Sequence, residues 1–377
     1  MGSNGFIVED DVDEISFLKN KFLKDKYDES QPSVTILPTT ACNCCCFYCF
    51  EESKSHHKLT DDVKKAIYRQ IDLLTKNKEK FRVTWFGGEP LLAIQDICQM
   101  SEKIIEICNK NNISYSSGII TNGVLIDDNI LKTLVNSKVS TIHITLDGTP
   151  DKHDKIRKLH NGQGTFWKII ENIKLCLKYN FLVDIDIHIN LMTDEEIESL
   201  LYILKKEGLE DCHIGFGRLI DYSANINECD LISTDDYGKR CIKYEEFAYK
   251  IGLNQKYYLE SYPSPKNNMC TAGKLNSFVV EPTGILYSCW PDIGQEEKSI
   301  GSILDIKDVR EISNYNKLRY ILYSPFEYDK CKNCNILPIC MGGCINRGLL
   351  SGEPQCTSWK YNLIQTLQYI YDIESNK

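Results

Sequence analysis

Five cysteines lie within eight positions of the segment TTACNCCCFYCFE, residues 39–51, at Cys42, Cys44, Cys45, Cys46 and Cys49. Reactivity, and metal binding in particular, explains such a group better than packing does. Read as two abutting C-x2-C pairs, it lacks the long intervening loop of a tetrahedral zinc site. Read as C-x3-C-x2-C, it selects Cys42, Cys46 and Cys49, which suit three irons of a cubane cluster. The fourth iron would then lack a protein ligand and could bind a substrate or cofactor.

A second group of seven cysteines begins at residue 270 and runs C-x13-G-x4-C, then C-x2-C-x5-C-x3-C, then one last thiol. Its members are Cys270, Cys289, Cys331, Cys334, Cys340, Cys344 and Cys356. This part of the chain has few long periodic segments, so its fold needs a crosslink to stabilise it. In a reducing compartment, where disulfides are rare, a bound metal is the expected crosslink. Zinc is the alternative to iron, although seven thiols do not divide into tetrahedral fours.

The remaining cysteines are expected to be small apolar residues of the core. Cys98, Cys108 and Cys176 fall near the apolar faces of two amphipathic segments, and free cysteine is often buried. The isolated residues Cys212, Cys229 and Cys241 are expected to be buried in the same way.

The elements that position the two cysteine groups follow from residue 33 onward. Six β-branched runs, from SVTILP to CHIGFGRLI, alternate with longer amphipathic segments. This alternation predicts an α/β fold, with a parallel sheet and helices outside it. After about residue 222 this alternation of predicted strands and helices ends. A polar, tyrosine-rich bridge with one helix around YEEFAYKIG occupies 222–265, and the cysteine-rich region follows from 266.

Polar residues stand where the predicted strands end. The second strand ends in WFGGEP, the third in ITNG and the fourth in ITLDG. Parallel barrels keep their active sites at these carboxyl ends. Glycines allow a ligand to approach the backbone closely, and the carboxylate of Glu89 could accept an ammonium group. Further candidates are His153 and Arg157 in DKHDKIR, and Asn190 after the fifth strand.

The opening loop, placed directly after the strand VTIL and with Tyr48 before its last cysteine, resembles that of the radical S-adenosylmethionine (SAM) superfamily. This resemblance implies a partial (β/α)6 TIM-like barrel in which SAM binds the open iron. It assigns Gly87, Gly88, Glu89 and Pro90 to the amino group of the methionine moiety. Thr145 and Asp147 would line the SAM site, together with Thr121 and Asn122. Arg157 would pair with the SAM carboxylate, and Asn190 would reach the ribose.

The seven later cysteines closely resemble the SPASM extension, which carries two auxiliary 4Fe-4S clusters. The resemblance gives the distal cluster to Cys331, Cys334, Cys340 and Cys356, and the near cluster to Cys270, Cys289 and Cys344. Sulfatase maturases supply another cysteine shortly after the position of Cys270, and this chain has none there. The near cluster is therefore expected to have an open iron, unless a distant group such as Cys241 fills it.

The predicted organisation is an N-terminal extension at 1–31, the radical SAM partial barrel at 32–221, the bridge at 222–265 and a SPASM domain at 266–377. The expected cofactors are three 4Fe-4S clusters and SAM. Only about 32 residues precede the first strand, too few for a packed leader-binding domain of their own. Leader recognition is left open between a separate protein, the N-terminal segment and the bridge.

The resemblance implies a maturase of a ribosomally made peptide, forming a thioether from a cysteine sulfur to a carbon. No catalytic residue is assigned. A sulfatase maturase making formylglycine and a maturase forming carbon–carbon or ether crosslinks are alternatives, and a non-catalytic iron–sulfur electron carrier is a candidate from a different class. The expected partners are a cysteine-containing peptide or protein and a flavodoxin or ferredoxin-type electron donor.

Composition limits the other partners. The 377 residues carry a net charge of −9 with a pI near 5.4, which argues against a nucleic-acid-binding face. No apolar run is long enough to span a bilayer, and the acidic N-terminus has no apolar signal core. The sequence therefore predicts a cytoplasmic protein without a membrane partner.

Overall fold

One twisted sheet organises the chain in the computed structural model, which describes residues 11–49, 56–220, 231–268 and 270–377. The strands run in the spatial order β6-β5-β4-β3-β2-β1-β7-β8-β9. They are β1 (Ser33–Ile36), β2 (Lys80–Trp85), β3 (Ser114–Thr121), β4 (Val139–Leu146), β5 (Leu182–His188), β6 (His213–Gly217), β7 (Ser277–Val280), β8 (Ile285–Tyr287) and β9 (Gly301–Ser302). The first six are parallel, as predicted, and the α/β fold is confirmed.

Helices connect β1 to β6 and cover the outer face of that part of the sheet, and further helices precede β1 and follow β6. They are α1 (Glu14–Lys26), α2 (Asp61–Leu74), α3 (Ile94–Lys110), α4 (Asp128–Asn136), α5 (Pro150–Ile156), α6 (Phe166–Lys178), α7 (Asp194–Lys206), α8 (Thr234–Lys250), α9 (Tyr315–Leu322), α10 (Asp329–Lys332), α11 (Leu337–Cys340), α12 (Ile345–Ser351) and α13 (Trp359–Ser375). None of these helices has both the length and the apolar character that crossing a bilayer requires.

The strands separate an apolar outer face from a polar inner one, because successive side chains point to opposite sides. In β5 the residues Val183, Ile185 and Ile187 are buried in the main core under the helices. The alternate residues Asp184, Asp186 and His188 are only partly buried and belong to the inner side. The same alternation in the neighbouring strands gives the barrel a polar interior.

The cysteine-rich region joins this sheet directly. Strand β7 pairs in parallel with β1, with Ser277 opposite Ser33 and Val280 opposite Ile36. Strands β8 and β9 then extend the edge in antiparallel fashion. The sequence did not predict this pairing, because β7 is a short run outside the strand–helix rhythm.

Two helices tie the ends of the chain to the rest. The last helix, α13, returns to pack against α8 of the bridge through Ile242, Tyr258, Tyr369, Ile370 and Ile373. The first helix, α1, contributes Phe22 to a cluster with Phe326, Leu337 and Met341. The α1 helix therefore covers the segment that carries Cys331 and Cys340.

The isolated cysteines mostly lie where they are expected. Cys108, Cys176 and Cys212 are fully buried in the core, and Cys241 is partly buried against it. The expectation for Cys98 is wrong: its thiol lies 3.6 Å from a carboxylate oxygen of Glu102 on the outer side of α3. The buried face of α3 passes through Ile97, one residue earlier, and one residue is about 100° of helical rotation. Cys229 lies outside the described residues.

The capping box of α7 offers a test of the local fold. Thr193 accepts from the N–H of Glu196, and the Glu196 carboxylate accepts from the N–H of Thr193. Removing such a cap costs about 1 kcal/mol. Thr193→Ala is therefore expected to speed hydrogen exchange in the first turn of α7 by about fivefold, measured by mass spectrometry on the whole protein. Thr133→Ala inside α4 deletes the same atoms and should leave α7 unchanged; equal exchange in both variants would contradict the assignment.

Candidate active site at the carboxyl ends of the strands

The opening cysteine loop lies across the end of β2. A Cβ atom built on Gly87 would be 2.4 Å from the carbonyl oxygen of Thr39, and one on Gly88 would be 2.4 Å from that of Ala41. Gly87 also has φ of +132°, which disfavours other residues. The Glu89 N–H donates to the Ala41 carbonyl at 2.8 Å. The group that approaches these glycines is therefore the backbone of the loop itself.

Glu89 joins the ends of β2 and β3 beneath that loop. Its carboxylate is fully buried and accepts three hydrogen bonds, from the hydroxyl of Thr121 and the N–H groups of Leu91 and Asn122. Burial raises the pKa of Glu89 to about 7, against the effect of these donors. Pro90 then opens a short 3-10 turn, Pro90–Ala93.

Asn122 extends this contact to the cysteines. Its side-chain amide donates to Oδ1 of Asn43 at 2.7 Å and lies 3.9 Å from Sγ of Cys42. The predicted residues Glu89, Thr121 and Asn122 are thus brought together, and they form the support on which the first half of the loop rests.

The second half of the loop is held by Asp147. Nε of Arg157 donates to Oδ2 of Asp147 at 2.7 Å, and Nδ1 of His188 lies 2.8 Å from Oδ1. The hydroxyl of Tyr48 donates to Asp147 at 2.5 Å and accepts from Nη2 of Arg157 at 2.5 Å. Because Tyr48 precedes Cys49, this network connects the loop to the ends of β4, α5 and β5.

The charges in this network favour ionised groups. Burial by itself would raise the pKa of Asp147, but Arg157 and His188 hold it well below its usual range. Burial likewise opposes the charge on His188, whereas its hydrogen bond to Asp147 raises its pKa. Burial raises the pKa of Cys46 to about 11, and the nearby guanidinium of Arg157 opposes that increase. Arg157 therefore provides positive charge beside the loop thiols.

His153 fixes the turn that carries Arg157. Its Nδ1 accepts from the N–H of Asp147 at 3.2 Å, and its Nε2 lies 3.0 Å from Oγ1 of Thr165, which donates to the Arg157 carbonyl. Burial lowers the pKa of His153 to about 4, so its ring is neutral. With Nδ1 accepting, Nε2 must carry the proton.

The cysteines of the loop differ in their surroundings. Cys46 is electrostatically coupled to both Cys42 and Cys49, so these three thiols are neighbours. Cys44 is buried and pairs in a β-bridge with Leu159, and the N–H of Cys45 donates to Lys158. Cys44 and Cys45 therefore also hold the loop on segment 158–159, and the Cys44 thiol lies beside those of Cys42 and Cys46.

Four later thiols surround one cavity. Its lining includes Cys331, Cys334, Cys340 and Cys356. Nζ of Lys360 lies 3.7 Å from Sγ of Cys356. This is the set predicted for the distal cluster, and it omits Cys344, which lies between Cys340 and Cys356 in the sequence.

The other three thiols form a second neighbourhood. Burial raises the pKa of the Cys289 thiol well above its usual range, and the nearby thiols of Cys270 and Cys344 add to that rise. Cys241 is elsewhere: its thiol contacts the carbonyl of Phe216 at 3.4 Å. Across the described ranges, no three His, Cys, Asp or Glu side chains are arranged closely enough to hold a single metal ion.

A cavity of about 670 Å³ occupies the inside of the barrel. Its polar lining includes Arg82, His143, Thr145, Asp184, Asp186, His213 and Glu260. Trp290, which follows Cys289, lines this cavity and also the one beside Cys270 and Cys289. Its ring stacks on Phe86 with centroids 5.0 Å apart. The barrel cavity and the near cysteine set therefore meet at Trp290.

Some predicted residues lie apart from the two networks, and others were missed. Thr145 faces the barrel cavity, and Oδ1 of Asn190 accepts from the N–H of Leu219. The sequence analysis did not select His188, although the alternation in VDIDIH places it on the inner face with Asp184 and Asp186. The available signal was that residues two positions apart in a strand point to the same face of the sheet.

The chain is similar to several known proteins. The family model described as the radical SAM superfamily matches residues 36–204. A cysteine-type anaerobic sulfatase-maturating enzyme of Clostridium novyi is 28% identical over 337 residues, covering 83% of this chain and 87% of that protein. The solved structure of anSMEcpe with bound AdoMet and a Cp18Cys peptide has a TM-score of 0.68 at 21% identity, covering 91% of this chain and 98% of its own.

A structure of Streptococcus suis SuiB bound to precursor peptide SuiA shares the fold, with a TM-score of 0.64 at 16% identity over 94% of this chain and 82% of that one. The chain belongs to the radical SAM superfamily. It is an enzyme of the SPASM-type maturase class within that superfamily.

The buried ion pair gives a prediction for stability. Asp147→Asn keeps the shape of the side chain but leaves Arg157 buried without its counter-charge. Breaking a buried pair in this way is expected to lower the free energy of unfolding by roughly 3 kcal/mol. Asp151→Asn, at an exposed position of α5, should change it by less than about 0.5 kcal/mol. Denaturant titration of both variants provides the measurement, and equal midpoints would refute the role of the pair.

The grouping of the later cysteines predicts iron content. Cys331→Ala/Cys334→Ala removes two of the four thiols around one cavity. Anaerobically reconstituted protein should then lose about four irons and matching sulfide per chain. Cys98→Ala/Cys108→Ala removes two thiols from α3 and should retain all the iron. Zinc in place of iron, or equal iron in both variants, would contradict the assignment.

Proposed function

We propose that this chain uses SAM and three 4Fe-4S clusters to modify a cysteine of a peptide or protein, and that its product is a thioether crosslink to a carbon. The observation that carries the proposal is the barrel cavity, whose lining includes Thr145 and Asp186 of the inner face and also Trp290 beside the near cysteines. A substrate residue inside it would lie between the SAM site and the near thiols.

The residues present fit the cofactors. Cys42, Cys46 and Cys49 would hold the SAM-binding cluster, with Arg157 supplying positive charge beside them. Cys331, Cys334, Cys340 and Cys356 would hold the distal cluster, and Cys270, Cys289 and Cys344 the near one. When bound, the cluster on the opening loop would pass an electron to SAM, which would give methionine and a 5'-deoxyadenosyl radical.

The protein's own residues bind, orient and exclude water. Glu89, Thr121 and Asn122 fix the loop beside the place where the methionine amino group is proposed to bind. The network of Tyr48, Asp147 and Arg157 fixes its other half. The stacked rings of Trp290 and Phe86 form an apolar wall at the junction with the near thiols, against which a substrate side chain can be positioned.

Two observations support different products. With three cysteines in the near set and Cys241 directed elsewhere, a substrate thiolate is the proposed further ligand, which favours retention of the sulfur in a thioether. Formylglycine is the second candidate, because the Clostridium novyi relative named above is a sulfatase-maturating enzyme. A flavodoxin or ferredoxin-type protein is the proposed electron donor.

The product distinguishes the two candidates. Reconstituted enzyme, SAM and a strong reductant would be incubated with two probes: cysteine peptides encoded by short reading frames beside this gene, and a peptide copied from the cysteine site of a sulfatase. A thioether product loses two hydrogen atoms and one alkylatable thiol. Formylglycine loses its sulfur and reacts with hydrazides. An unchanged peptide alongside rapid SAM cleavage would refute modification of cysteine, and Cys42→Ala/Cys46→Ala/Cys49→Ala is the control that should cleave no SAM.

A further inference from the structure

Three titratable side chains meet at one level inside the barrel. Nδ1 of His143 lies 3.1 Å from Oδ2 of Asp184, and Nδ1 of His213 lies 3.1 Å from Oδ1 of the same carboxylate. The residues come from adjacent strands of the sheet. His143 of β4 is opposite Asp184 of β5, and Asp184 is opposite His213 of β6. One carboxylate therefore connects two imidazoles.

Both imidazoles face the barrel cavity, which is also lined by Asp184. The side chain of His143 is 43% exposed, and that of His213 is 29% exposed. Asp184 engages Nδ1 of His143, and among the described residues Nε2 of His143 has no ion-pair or hydrogen-bond partner. A group in the cavity can thus reach a ring nitrogen that is able to accept a proton.

The surroundings of the two histidines differ. Burial lowers the pKa of His143; Asp184 and Asp186 act against this, and Arg82 and His213 reinforce it. His213 has its pKa raised, first by its hydrogen bond to Asp184, and Glu260 and Glu245 add to the effect. At neutral pH the pair therefore contains one uncharged base and one more readily protonated partner. Environments that push two pKa values apart are typical of acid–base pairs.

We propose that His143 is the base that removes the thiol proton of the substrate, and that Asp184 and His213 are positioning residues that orient it. This inference rests on the proposed function. The C–H hydrogen atom of the substrate passes to the 5'-deoxyadenosyl radical, the S–H proton passes to His143, and a carbon–sulfur bond forms. The one surplus electron leaves through an iron–sulfur cluster, so atoms and charges balance.

Asp186 is the other carboxylate on this face. Its oxygen lies 3.4 Å from Nε2 of His188, which is itself paired with Asp147. It therefore belongs to the network beneath the cysteine loop. His143 is one layer deeper in the barrel, and Asp184, its one carboxylate contact among the described residues, orients the ring through Nδ1.

The test compares His143→Gln with His56→Gln, an exposed histidine outside the barrel. Reconstituted enzymes would receive the cysteine peptide that gives product, between about pH 5.5 and 8.5. His143→Gln is expected to cleave SAM as the wild type does but to yield at least about a hundredfold less product per 5'-deoxyadenosine. The His56→Gln ratio should equal that of the wild type. An unchanged ratio and pH profile in His143→Gln would overturn the proposal.

Asp184→Asn separates positioning from folding. Loss of the carboxylate lowers the pKa of His143 further, so the acid limb of the product profile should move to lower pH, whereas a purely structural role would lower the rate at every pH. A second readout needs no substrate: carbethoxylation of His143 in the whole protein by diethyl pyrocarbonate, followed by peptide mapping. The reaction should persist to lower pH at His143 than at His213. If no peptide is modified, the proposed function fails, and equal pH dependence at the two histidines would still overturn the base assignment.

Discussion

The buried ion pair between Asp147 and Arg157 is the interaction on which the site depends. Asp147 is fully buried, and its two oxygens are shared among Arg157, Tyr48 and His188. A buried charge without a partner is costly, so each member needs the others in place. Since Tyr48 belongs to the cysteine loop and the others to the ends of β4, α5 and β5, the position of the loop is fixed by the same balance of charge.

The inner face of the barrel also carries charged groups that need partners. Its outer face is apolar and covered by helices, whereas its inner face is lined by carboxylates, imidazoles and one guanidinium. These inner groups contact one another, as Asp184 does with both His143 and His213. The interior can therefore stay open and polar without losing the packing that the outer face provides.

Local patterns predicted the elements and the motifs but not the partners. The alternation from residue 33 predicted six parallel strands, the strand ends predicted Glu89 and Asp147, and the segment DKHDKIR predicted Arg157. That Arg157 faces Asp147, and that His188 joins them, depends on side chains from three elements meeting, which spacing along one strand does not encode. The wrong prediction for Cys98 arose within a single helix, because a shift of one residue is enough to turn a side chain away from the core.

The pairing of β7 with β1 has a consequence for how this chain can be divided. A fragment ending before residue 266 would leave the four residues of β1 as an unprotected edge, with backbone groups free to recruit strands of other molecules. Conversely, the cysteine-rich segment alone would lack β1, the strand with which its own strand β7 pairs. Each part of the chain thus supplies a strand that the other part needs. Inserting or exchanging a module at this junction would therefore disturb both.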